Sequence, residues 1–85
     1  MRRSIDDHPA GPTDVPPGLE DDLAPVSWAV AISDDYDDAE PRVVLTVEEV
    51  GRPGAGLVTH LSPATARRLR VALADALREI GEPTS

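Results

Sequence analysis

The chain has 85 residues, no cysteine, no phenylalanine and a formal net charge of −8. This length allows one domain with a core of Val, Leu, Ile and Ala, because Trp28 and Tyr36 are the only aromatic residues. A disulfide framework and a Cys-based metal centre are excluded, and no apolar run approaches the ~20 residues that span a bilayer. Met1-Arg2-Arg3 is not followed by the apolar stretch of a secretory signal, so a cytoplasmic location and no membrane association are expected. The charge is uneven. Residues 1–41 hold eleven acids against Arg2 and Arg3, a net of −9, whereas residues 42–85 hold six Arg against five acids, a net of +1. Most of such a surface repels phosphate, which disfavours direct nucleic-acid binding.

Residues 1–24 read as a disordered, acidic, Pro-rich tail. Pro9, Pro12, Pro16 and Pro17 interrupt backbone pairing, and Ile5, Val15, Leu19 and Leu23 share no period. Val15 to Leu23 could act as a short linear motif. His8, inside this tail, has nothing to hold it.

The ordered domain is expected over 25–82. Val26-Ser27-Trp28-Ala29-Val30-Ala31-Ile32-Ser33 alternates with period two, so Val26, Trp28, Val30 and Ile32 share one face of a strand. A second strand, Arg42 to Glu48, turns Val43, Leu45 and Val47 the same way. Gly51-Arg52-Pro53-Gly54-Ala55-Gly56 is a turn, and Leu57 to Leu61 is a shorter third strand. Ser62 then caps a helix that Pro63 can open without losing a donor, and Gly81 with Pro83 stops it. Ala66, Leu69, Leu73, Ala76, Leu77 and Ile80 form its apolar stripe, and Leu61 can staple onto Ala66. Short links favour an antiparallel meander. The expected fold is therefore α+β: a three-stranded antiparallel meander, one C-terminal helix covering one face with Leu73 against Trp28 and Leu45, and a short end at 83–85.

Leu61-Ser62-Pro63-Ala64-Thr65-Ala66-Arg67-Arg68-Leu69, followed by an Ala/Leu-rich helix, resembles the L-[ST]-P-x-x-A-R-x-L ending of small actinobacterial proteins of unknown function. The likeness covers about the last 25 residues. A basic set made only of Arg fits the high-GC genomes of that group. The resemblance implies one or more strands before the motif and no established activity, so no functional residue is carried over.

Candidate chemistry is sparse. Asp34, Asp35, Tyr36, Asp37, Asp38 and Glu40 crowd the loop between the first two strands, yet an EF-hand loop would need a central Gly and a Glu at its twelfth position. This loop reads as a solvated hairpin connection or as an acidic patch for an Arg-rich partner. His60, by alternation, points away from the helix, and no carboxylate or Cys is placed to work with it. The glycines at 51, 54 and 56 lie between strands and present no helix N-terminus to a phosphate. The solvent side of the helix carries Arg67, Arg70, Val71 and Arg78, with an Asp75–Arg78 pair at i,i+3.

These features predict a small non-catalytic interaction or regulatory module without a cofactor. A homodimer is the expected assembly, with an unidentified protein as a further partner. Its partner-binding candidates are Asp34, Asp35, Tyr36, Asp37, Asp38, Arg67, Arg70, Val71 and Arg78. The outer sheet face of Ala29, Ala31, Val44, Thr46, Val58 and His60 is thin and apolar, and is the candidate dimer face. The alternative is an acidic regulator of nucleic-acid machinery, acting as a mimic or through the Arg face. A third and weaker reading is a small enzyme built on His60.

Overall fold

A computed structural model describes residues 1–9, 14, 16–19, 25–52 and 54–83. Within them the order is β1 (Arg2–Pro9), β2 (Val26–Ser33), β3 (Arg42–Glu49), β4 (Leu57–Leu61) and α1 (Pro63–Glu79). The strands form one four-stranded antiparallel sheet in the order β1-β2-β3-β4. The α+β class, the antiparallel meander and the C-terminal helix agree with the sequence pattern. The sheet has four strands rather than three, and the N-terminus begins with a strand instead of a disordered tail.

β1 escapes sequence reading for a physical reason. Its residues, Arg-Arg-Ser-Ile-Asp-Asp-His-Pro, have no apolar alternation, and every one of them is exposed. Main-chain pairing with the free edge of β2 holds the strand, from Arg2 opposite Ser33 to Pro9 opposite Ser27. A bulge between Ser4 and Asp6 resets the register. Pro9 falls at the strand end, where a lost donor costs little. His8 lies opposite Trp28, with ring centroids 5.5 Å apart, so it is held after all. The remainder of the expected tail and the linear-motif segment fall largely outside the described residues, as do Thr84 and Ser85.

Residues directly paired across antiparallel strands share a face. Trp28 opposes Val47, Val30 opposes Leu45, and Ile32 opposes Val43, which in turn opposes Leu61. These residues form the inner face, turned to α1, and Arg3, Asp6 and His8 join it from β1. Ala29, Ala31, Val44, Thr46, Val58 and His60 form the outer face.

The helix begins and ends as its sequence dictates. The Thr65 N–H donates to Ser62 Oγ at 3.2 Å, and Pro63 occupies the first turn. At the other end Gly81 takes φ +80°, the Glu82 N–H donates to the Leu77 carbonyl at 2.8 Å, and the Gly81 N–H donates to that of Arg78 at 3.0 Å. That is a Schellman stop. Arg78 pairs with Asp75 at 2.8 Å, as the i,i+3 spacing predicts.

Packing departs furthest from expectation. α1 approaches the sheet only along β3 and β4, and it has no buried residue. Leu73, expected at the centre of the core, is 60% exposed. Among the described residues the one buried apolar side chain is Val44, 1% exposed, on the face away from the helix. The helix lies along the sheet without closing on it.

Candidate functional site

The outer face acquires its cover from the β2–β3 loop. Ser33 Oγ, nearly buried, accepts from the Asp35 N–H at 3.2 Å and starts the turn. Tyr36 then folds back over the sheet. Its hydroxyl meets His60 Nδ1 at 2.8 Å, and the two rings stand edge to face with centroids 5.5 Å apart. The Arg42 guanidinium lies 4.7 Å from the Tyr36 ring centre. Arg42 precedes Val44 on the same face, and His60 is Val44's cross-strand partner. Val44, 1% exposed, therefore lies on the outer face between the two residues that Tyr36 engages.

The acidic residues of the loop are largely committed within the chain. Asp38 grips Arg42 with both oxygens, at 2.9 and 2.7 Å, and also accepts from the Glu40 N–H at 3.0 Å. The Arg42 hydrogen bonds, followed by that of Glu40, lower the Asp38 carboxyl to about 2, and Asp38 raises the Arg42 guanidinium in return. Asp34 and Asp35 both hold the Met1 ammonium, Asp35 at 2.6 Å. Hydrogen bonding to that ammonium lowers the Asp34 carboxyl and raises the ammonium. Ala39, at φ 56°, turns the chain into β3. The described residues contain no group of three or more His, Asp or Glu arranged to hold a metal ion.

The inner face is open. A cleft of about 660 Å³ runs between α1 and the sheet, walled by Val30, Val43, Leu45 and Leu61 below and by Leu69, Leu73 and Leu77 above. Arg67 and Arg70 stand at its rim, and Val71 and Ala74 complete the helix wall. Its chemistry is that of an apolar trough with cations along one lip. Such a trough accepts apolar side chains flanked by carboxylates.

The expected partner residues therefore separate. Asp37, Asp38 and Tyr36 line a shallow surface with Arg42, whereas Arg67, Arg70 and Val71 line the cleft; Arg78 is spent on Asp75. Of the expected dimer face, Val44 is buried and His60 is engaged by Tyr36, while Val58 remains 54% exposed. His60 points away from the helix, as alternation requires, and its ring partner is a phenol rather than a carboxylate. Sequence reasoning assigned Val30, Leu45, Leu69 and Leu73 to a closed core, so the cleft was missed. One signal pointed toward it: a single helix and almost no aromatic residues are little to cover a sheet. No family model, curated protein or solved structure matches this chain.

Proposed function

We propose that the chain is a small non-catalytic protein-interaction module that seats its partner in the cleft between α1 and the inner sheet face. The observation that carries this reading is the exposure of the residues a closed domain would bury. Leu73, Leu69 and Leu77, which line the cleft together, are 60%, 39% and 38% exposed. Contiguous apolar surface of this kind marks an interaction site. Catalysis is not favoured, since His60 is tied to Tyr36 and has no carboxylate to orient it. An acidic-mimic role is weakened because Asp34, Asp35 and Asp38 already hold cations within the chain.

Affinity capture with two point variants tests the assignment. Leu73→Asp places a charge in the cleft, whereas Val58→Asp places one on the outer face. Capture, whether of another protein or of untagged copies of this chain, is expected to disappear with Leu73→Asp and to persist with Val58→Asp. The opposite pattern would move the docking surface to the outer face and end this reading.

A further inference from the structure

The sheet is wider than its helix can cover. Adjacent strands lie ~4.8 Å apart, and a helix with its side chains is ~10–12 Å across, so one helix shields about two strands. α1 approaches only β3 and β4, and of the inner-face residues of β2 Val30 alone lines the cleft, so Trp28 and Ile32 lie beyond it, half-buried. The same helix carries Leu73 and Ile80 largely exposed. Each copy thus has a sheet that its helix covers only in part and a helix edge that lacks a sheet.

We propose, building on the docking reading above, that the occupant of the cleft is a second copy of this chain. Two copies related by a two-fold axis exchange cover: the helix of each lies over the β1–β2 half of the other's inner face, and two sheets enclose two helices. A two-fold contact of this kind is self-complementary and closes without leaving a further site.

Area agrees with this occupant. The accessible surface is 6760 Å². A compact monomer of 9.0 kDa would expose about 4,900 Å², an excess of about 1,900 Å². A standard stable interface buries about 800 Å² per partner, so the excess is ample for one. The radius of gyration, 15.1 Å, likewise exceeds the ~12 Å of a compact domain of this length.

Sedimentation equilibrium from about 1 to 200 µM covers the affinities expected of a dimer this size. The wild type is expected at twice its 9.0 kDa mass. Leu73→Asp should weaken association by more than about 30-fold, as loss of a central interface anchor does, while Val58→Asp leaves it unchanged. Because Leu73→Asp could unfold a protein that needs its dimer, a second measurement uses the natural lack of cysteine. Ile32→Cys and Leu73→Cys chains, prepared separately and mixed under mild oxidation, should form a mixed disulfide between copies. A wild type that stays monomeric across the range overturns the proposal. So does a dimer that yields no mixed disulfide. If the monomer instead captures a different protein in a Leu73-dependent way, the docking reading survives and the second copy is excluded as its occupant.

Discussion

Val44→Ala removes two carbons from the one fully buried apolar side chain among the described residues, 1% exposed between its cross-strand partners Ala31 and His60. Transfer of two buried carbons is worth about 1.6 kcal/mol at ~0.8 kcal/mol each. The void left between Ala31 and His60 adds to this, for a total of about 2–3 kcal/mol. A chain of 85 residues has a total stability of about 4–13 kcal/mol, so the loss is a large fraction of it. The melting temperature should fall by roughly 10–20 °C. Leu73→Ala makes the informative contrast. Within one chain Leu73 is 60% exposed, so truncation removes less than half of a buried leucine's contribution, about 1 kcal/mol. Any further loss belongs to association and must grow with protein concentration. Thermal melts by circular dichroism at two concentrations separate the terms. A Val44→Ala protein that melts within ~2 °C of wild type would show that this valine is not buried in solution, and the assignment of the buried face would fall.

Two more outcomes follow from local geometry. A Cβ added at Gly56 would lie 2.6 Å from the Val47 carbonyl oxygen and 2.3 Å from Glu48 Cγ. Because the first neighbour is backbone, Gly56→Ala should force the β3–β4 connection apart and cost about 1–3 kcal/mol, read by urea unfolding; an unchanged midpoint would refute the close approach. Asp38 titrates near 2 in the folded chain against an ordinary 3.8, because Arg42 holds its charged form. A depressed carboxylate stabilises above its unfolded value and loses that contribution as pH falls toward its folded one. The difference in melting temperature between wild type and Asp38→Asn should therefore be constant above about pH 5 and shrink toward about pH 2. A difference that stays constant through that window would mean the Asp38–Arg42 grip is absent in solution.

Local elements were legible from sequence because their causes are local. Alternation from Val26 to Ile32 and from Val43 to Val47 sets which side chains share a face, whatever lies above them. Ser62, Pro63 and Gly81 act on donors and acceptors of their own helix turns, so both ends of α1 were readable. The direction in which His60 points followed from the same alternation. Three things required the tertiary structure. β1 owes its existence to the open hydrogen-bonding edge of β2, and a strand held by main-chain pairing leaves no mark in side-chain hydropathy. Tyr36 reaches His60 across 24 positions of chain, a closure that no spacing rule encodes. The distance between α1 and the sheet is set by how side-chain volumes add up between layers. A stripe of Leu69, Leu73 and Leu77 says that a helix wants cover, while only the packed arrangement decides whether its own sheet supplies it.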